Sequence, residues 1–465
     1  MPAKILQATT MRERLSFLTT NKEFYPLLLK LSIPIILQGF LSTALVFVDV
    51  LMVGQLGEQA VASIGLGNQF TLIFIMIANG CASGTGIFAA QYWGRRYVKH
   101  IRQTFTIGLR YSLLIGVVFS IAAIFFSQHI IAFYSPDHVV QVEGGHYLHL
   151  LGISYIFFSI TVVYAATLRS TKLVMLPLIA SAIALSLNTF LNYCLILGNF
   201  GFQQMGVTGA GVSMIIARVV ECAIIIGATR YRKLPMVKRA GNIFFSKIKG
   251  RKEYFRVVFP VVMQNVGWVV GISLYMKIYA SISTISLASV NISETLEKMG
   301  FMAFVSMANA SAIMIGNSIG AGRADLARDY SRKLLFIGVV GALFIGAVII
   351  AIRPYVIQLY NLDAEGVRNV SYLMLFMACV MWVKASNVIF NGGILRGGGD
   401  TKYSMFIDIG GVWLVGLPMG YIAAFVLNLP IYFVVLCVYC EEFVKMTVGF
   451  HRFLSNKWLR NLVRK

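Results

Sequence analysis

Between Pro34 and Val53 the chain reads PIILQGFLSTALVFVDVLMV, and its only charge is the carboxyl group of Asp49. An ionised side chain in mid-bilayer costs about 2.5–3.5 kcal/mol on insertion scales, so a lone acid there needs a role or a partner. A proton or a sodium ion would neutralise it; the plainer reading is an acid near the membrane edge, hydrogen-bonded to a helix end. Asn188 and Asn192 lie four residues apart in a later apolar stretch and so share one helical face. Their amide oxygens can ligate a cation or accept a hydrogen bond from a protonated acid. Membrane asparagines also serve as glue between helices. Asp49, Asn188 and Asn192 form the expected ion-coupling set, and a sodium ion at Asp49 is the one metal expected.

The later half distributes its charges differently. Lys277, Glu294, Glu297, Lys384 and Asp408 all fall inside apolar stretches. Buried lysines among several acids are expected to pair. Lys277, Glu294, Glu297 and Lys384 therefore read as a static ion-pair network, as a site where a lysine ammonium takes the place of a bound cation, or as a relay in which one acid passes protons. Arg218 with Glu221, and Glu441 and Glu442 with Lys445, are spaced for pairing within one helix. His138, His146 and His149 cluster without a metal-site spacing. The six cysteines (Cys81, Cys194, Cys222, Cys379, Cys437 and Cys440) read as small core residues. No acid pair or nucleophile–base constellation stands at catalytic spacing, so an enzyme is not expected, nor is an organic cofactor.

The elements that carry these residues must be membrane helices. Of 465 residues 58% are hydrophobic and only 12% charged, with a mean hydropathy of +0.77. A soluble domain is about 25% charged, and no water-soluble fold of this length hides so much apolar surface. Runs long enough to span, about 20 residues each, fall near residues 26–53, 59–92, 104–127, 146–168, 174–197, 207–229, 255–280, 285–318, 333–353, 368–391, 403–427 and 430–451. The net charge of +22 sits mostly in alternate connections. The loop with Arg95, Arg96, Lys99 and Arg102 is basic, while Ser127–Gly145 carries no lysine or arginine. The stretch from Arg230 to Glu253 holds nine basic residues against one acid. Positive loops stay cytoplasmic, which puts both termini there and makes the span count even. Nucleic acid is not an expected partner. The polar, basic stretch from Met1 to Glu23 has no cleavable apolar core, so no removed signal peptide is expected.

The two halves repeat at a nearly fixed offset. Pro34 and Pro260, Gln38 and Gln264, Ala62 and Ala288, and Gly94 and Gly320 are each 226 residues apart, and Arg169 and Arg396 are 227 apart. The position matching Asp49 is Tyr275. The expectation is an all-α integral membrane protein of twelve transmembrane helices in two pseudo-symmetric six-helix bundles. Residues 1–229 would form an N-terminal lobe, 230–253 a basic cytoplasmic linker and 254–465 a C-terminal lobe. An even number of spans per half relates the lobes by an axis along the membrane normal and leaves a cavity between them, a design suited to alternating access.

Several stretches together resemble the multidrug and toxic compound extrusion (MATE) family. They are Leu31-Ser32-Ile33-Pro34 leading to Phe47-Val48-Asp49-Val50-Leu51-Met52-Val53-Gly54, Ala90-Gln91-Tyr92-Trp93-Gly94 and Leu168-Arg169-Ser170. The Asn188 to Asn192 stretch, Gly316-Asn317-Ser318-Ile319-Gly320-Ala321-Gly322 and Leu395-Arg396-Gly397-Gly398-Gly399-Asp400-Thr401 complete the set. The resemblance implies a monomeric secondary antiporter in the plasma or inner membrane, among membrane lipids. It would export cationic or amphipathic drugs and other toxic small molecules in exchange for protons or sodium ions. The resemblance also implies a first-span coupling acid, which falls on Asp49. Relatives assist that acid with a fifth-span Asn and a carboxylate one turn later; Asn188 and Asn192 stand here, so the second carboxylate is missing. A seventh-span glutamate and a tenth-span aspartate of some members correspond to Trp268 and Ala385, which argues against a second-lobe sodium site of that type. The alternative is a flippase of the same superfamily, for lipid-linked oligosaccharides or other lipids, which the basic residues Arg110, Arg218, Lys277 and Lys384 would suit.

Overall fold

The computed structural model describes residues 22–234, 250–360 and 362–463. Each apolar run becomes a helix because a hydrocarbon solvent leaves backbone N–H and C=O groups no partner but one another. The first six runs form α1 (Phe24–Gly54), α2 (Glu58–Gly94), α3 (Val98–Phe125), α5 (His138–Ser170), α6 (Met175–Leu195) and α7 (Gly206–Tyr231). The connection read as a loop from Ser127 to Gly145 is a correction: it contains a separate short helix, α4 (Ser127–Tyr134), and the start of α5. Asp137 caps α5, accepting a hydrogen bond from Val139 N at 2.9 Å. The second half gives α8 (Arg251–Ile282), α9 (Thr284–Gly320), α10 (Ala324–Gln358), α11 (Ala364–Leu395) and α12 (Thr401–Val426). Most of the expected linker, residues 235–249, lies outside the described residues.

Among the described residues eleven helices are long and apolar enough to cross a membrane. The run expected as a twelfth span consists of two helices, α13 (Ile431–Val438) and α14 (Cys440–Leu454), which meet at Tyr439. Large apolar side chains such as Phe344, Leu414 and Leu114 point outward, as they do where the solvent is lipid. The chain is a multi-pass membrane protein with two pseudo-symmetric helical bundles, α1–α7 and α8–α14.

The repeat reaches down to the helix ends. After α2, Arg96 N and Tyr97 N donate to Trp93 O (3.0 Å) and Tyr92 O (2.9 Å); after α9, Gly322 N and Arg323 N donate to Ile319 O (3.0 Å) and Ser318 O (2.9 Å). The ends of α5 and α11 repeat the same pair of bonds around Lys172 and Gly399. These are Schellman endings, which put one residue in the left-handed region. The first half uses Arg96 (φ 60°) and Lys172 (φ 67°) where the second uses Gly322 (φ 77°) and Gly399 (φ 82°).

The bundles join along the end that carries the basic loops. The first helix of each packs on the second helix of the other, α1 on α9 and α8 on α2. The two second helices cross directly: Gly94 lies against the carbonyl of Asn317, and Gly320 against that of Gln91. Those residues are themselves paired at the 226-residue offset. A Cβ at Gly320 would stand 1.9 Å from the Gln91 oxygen, so only glycine permits this approach. Thr85 and Tyr254 hydroxyls meet at 2.8 Å across the same seam, and Asn265 donates to Met76 O at 3.2 Å.

Candidate functional site

Asp49 lies five residues before the end of α1 that is remote from the basic face. It is partly buried, and Asn192 of α6 donates to its Oδ1 at 2.7 Å. Several polar atoms of α6 near this pair have no hydrogen-bond partner: the Oδ1 of Asn192, the Nδ2 of Asn188 and the hydroxyl of Thr189. Asn188 and Asn192 are both buried, because their shared face turns inward, as the four-residue spacing requires. Behind them Tyr147 of α5 donates to Asn68 Oδ1 of α2 at 3.3 Å, and Thr71 meets the hydroxyl of Tyr155 at 2.7 Å. Gly67 makes room for the Tyr147 ring. Among the described residues Asp49 forms no ion pair. The surroundings of Asp49 thus offer one carboxylate, the free Oδ1 of Asn192 and, among the described residues, no cation paired with the acid.

Nearer the basic face each bundle contains the same kind of polar chain. In the first, Arg169 donates to Gln38 (3.4 Å), Gln38 to Ser181 (2.8 Å), and Ser181 to Glu221 (2.7 Å). Arg218 closes it on Glu221 at 2.9 Å. In the second, Arg396 donates to Gln264 (3.2 Å), and Gln264 donates both to Ser404 (3.0 Å) and to Asp408. Asn391 adds a second donor to Asp408 at 2.6 Å. The pairings Gln38/Gln264 and Arg169/Arg396 are visible as repeats in the sequence, but their meeting around a buried carboxylate was not foreseen. The signal was there: a polar residue repeated at the same offset within an apolar span.

The second bundle holds a larger charged network. Tyr275, the counterpart of Asp49, donates its hydroxyl to Glu441 at 2.7 Å. Lys445 pairs with Glu441 (3.0 Å) and Glu442 (3.4 Å), and Asn387 donates to Glu442 at 2.7 Å. Lys384 is ion-paired with Glu297 and lies over the Tyr439 ring at 4.4 Å. Glu294 pairs instead with Lys298, one turn on, at 2.8 Å. Lys277 is exposed and joins no ion pair among the described residues, so the four residues grouped as a relay do not form one chain. Wide-turn π segments at Ile389–Leu395 and Gly411–Gly416 flank this network. Such segments cluster at functional sites. Here Gly411 accommodates the Lys445 stem and Gly416 the Tyr275 hydroxyl.

The MatE family profile matches the chain twice, over residues 34–194 and 260–422, which together exceed half its length. A probable multidrug resistance protein NorM from Thermotoga maritima is 22% identical over 436 residues, covering 94% of this chain and 93% of that one. The multidrug resistance protein MdtK from Yersinia enterocolitica is 28% identical over 404 residues, 85% and 86% of the two chains. Among solved structures, a MATE protein in complex with MaL6 superposes with a TM-score of 0.84 at 18% identity, covering 93% of this chain and 96% of that one. The eukaryotic MATE transporter AtDTX14 gives 0.83 at 16% identity, covering 96% and 98%. A MOP superfamily transporter from Pyrococcus furiosus, described as having a binding pocket of reverse polarity, gives 0.84 at 17% identity, covering 97% and 100%.

Proposed function

The chain belongs to the MATE family of membrane transporters, and from that premise we propose that it is a secondary antiporter for small organic compounds. Cationic or amphipathic molecules leave the cell as protons or sodium ions enter, and Asp49 is the carboxylate that alternates between coupling ion and cargo. The observation that carries this reading is the pocket around Asp49. A carboxylate held partly out of water, touched by the amide of Asn192 at 2.7 Å and met by no lysine or arginine among the described residues, is satisfied by a small cation. The Oδ1 of Asn192 and the hydroxyl of Thr189, on the same helix, are oxygen atoms with no hydrogen-bond partner.

The basic face is the cytoplasmic one, where both termini lie, and alternating access moves one lobe against the other across the α2–α9 crossing. The lobes correspond to residues 1–229 and 254–465, joined by the basic linker 230–253, and the α13–α14 pair serves as the twelfth span. The contacts between bundles named above lie in the cytoplasmic half, and Asp49 lies beyond them, which supports a form that faces outward. The Glu297–Lys384 pair and the Glu441–Lys445–Glu442 cluster hold the C-terminal lobe together. They also weaken the lipid-flippase alternative, because Lys384 and Arg218 are already met by Glu297 and Glu221 and so do not offer free cations to an anionic headgroup.

The test is export by the purified protein in liposomes with an imposed proton or sodium gradient. One charge crossing 100 mV supplies about 2.3 kcal/mol, so either gradient can drive a measurable concentration ratio. Asp49→Asn should fold and insert normally yet lose gradient-driven transport. Full export by that variant would remove Asp49 from the mechanism.

A further inference from the structure

At the cytoplasmic end of the N-terminal lobe, a groove of about 460 Å³ runs between α1, the α5–α6 turn and the end of α7. Its base is apolar, formed by Leu29, Ile33 and Pro34 of α1 with Met175 and Leu176 of α6. Its rim carries Lys30, Lys172 and Arg232, and no acid lines it among the described residues. All three cations are exposed, and none of them forms an ion pair among the described residues.

Three elements distant in sequence thus converge three positive charges on one greasy slot at the level of the membrane surface. We propose that this groove is a binding site for one anionic phospholipid of the cytoplasmic leaflet. The acyl chains lie along Leu29, Ile33 and Met175, and the phosphate is held by Lys30, Lys172 and Arg232. The sidedness rests on the cytoplasmic assignment of the basic face; the binding itself does not depend on transport. Other occupants fit poorly. Cationic cargo is repelled by the rim. The chain's own first 21 residues carry Lys4, Arg12 and Arg14 against Glu13 alone, so they too bring positive charge to a positive site. An anion without a tail would leave the apolar base uncovered.

The site also has a structural logic. It bridges α1 and α6, the two helices that supply Asp49 and Asn192. Lys172 occupies the left-handed position of its turn at φ 67°, where the other half has Gly399. The second bundle therefore has no cation at the matching place, and the site belongs to the N-terminal lobe.

Full-length protein in an uncharged maltoside detergent is titrated with phosphatidylglycerol, with phosphatidylcholine of the same chains, and with inorganic phosphate. Binding is followed by thermophoresis and by native mass spectrometry. A lysine or arginine near an anionic lipid surface is worth about fivefold in affinity, so three together are worth roughly 100-fold. Phosphatidylglycerol should bind clearly more tightly than phosphatidylcholine, and the Lys30→Gln, Lys172→Gln, Arg232→Gln variant should lose that preference and about 100-fold in affinity. Millimolar phosphate should not displace the lipid. A second variant, Ile33→Trp, fills the slot while keeping every cation, and it should also lose the lipid. Equal binding of both lipids, an unchanged triple variant, full affinity in Ile33→Trp, or displacement by free phosphate would each overturn the proposal. The assay reads no transport, so failure of the exporter reading would leave its result intact.

Discussion

Asn192 donates to Asp49, while one turn earlier Asn188 leaves its Nδ2 unpaired in the protein interior. The two asparagines should therefore respond differently to the same substitution. Asn192→Leu removes a hydrogen bond to a charged group, worth about 1.5–3 kcal/mol. At equal expression it should slow coupled export by about 10–100-fold. Asn188→Leu removes no bond among the described residues and relieves a buried donor. It should raise thermal stability in detergent by about 1 kcal/mol while still depressing transport if, as proposed, the Asn188 oxygen serves the coupling ion. A stability loss with normal transport would instead make Asn188 a packing residue. At this scale the sequence is informative within a helix and weak between helices. The shared face of Asn188 and Asn192 could be anticipated from their spacing, and so could the Arg218–Glu221 and Lys445–Glu441 pairs. The bond from Asn192 to Asp49, by contrast, joins positions 143 apart. The pairing of Lys384 with Glu297 joins positions 87 residues apart, and that of Gln264 with Asp408 joins positions 144 apart. No periodicity announces which helices will be neighbours, and Lys277 accordingly points outward rather than joining the acids it was grouped with.

Helix ends show where the two halves have diverged at the level of elements. The Schellman turns after α2 and α9 have the same bonds, but one places Arg96 and the other Gly322 in the left-handed region. A side chain there costs about 1–2 kcal/mol, part of which glycine returns through the entropy of the unfolded chain. Arg96→Gly should stabilise the protein by about 0.5–1 kcal/mol. Gly322→Ala should destabilise it by about 1 kcal/mol for backbone reasons alone, since no atom lies within 4 Å of the new Cβ. Thermal unfolding in one detergent measures both. Equal shifts of one sign would mean that the turns are not held as described. Apolar runs made the membrane helices easy to read, and the offset of 226 made the duplication easy to read. What escaped were features that depend on tertiary contact. The α4 helix lies in a stretch too short and mixed to register as a span. The π turn of α12 lies where Gly411 and Gly416 yield space to Lys445 and Tyr275, and that of α11 where Gly393 packs on Ala308 and Ser311 of α9. The break at Tyr439 comes where that ring covers Lys384, a contact invisible in a run of apolar letters.

For the molecule as a whole, the decisive question is what holds the seam closed at the face proposed to be cytoplasmic, and much of the answer lies in the last described residues. Residues 456–463 run between the end of α2 and the α11–α12 turn. Trp458 is fully buried there, stacked on Phe453 at 5.9 Å. Asp400 anchors the segment through Arg452 (2.6 Å) and Arg460 (3.0 Å). Gln91 of the other bundle then uses its whole amide on this clasp. Its Nε2 donates to Gly397 O (3.3 Å) and Arg460 O (3.2 Å), and its Oε1 accepts from Leu462 N (2.8 Å). Arg95 adds a bond to the Val463 carbonyl. If the proposed lobes part at this face, the bonds that Gln91 and Arg95 make to this segment and to Gly397 must break, and water takes their place, while the Asp400 ion pairs lie within one lobe and persist. Gln91→Leu keeps the side-chain volume but leaves three backbone groups unpaired only while the seam is closed. At about 1 kcal/mol for each bond, the closed form loses roughly 3 kcal/mol, a shift of about 100-fold in the ratio of states. Spin labels placed across the cytoplasmic face of this variant should show a new, longer distance population, with the matching outer pair moving closer. Transport should become limited by the return to the outward form. Distances identical to those of the unaltered protein would mean that the C-terminal clasp rides passively on one lobe and that the helix contacts between the bundles keep the seam shut without it.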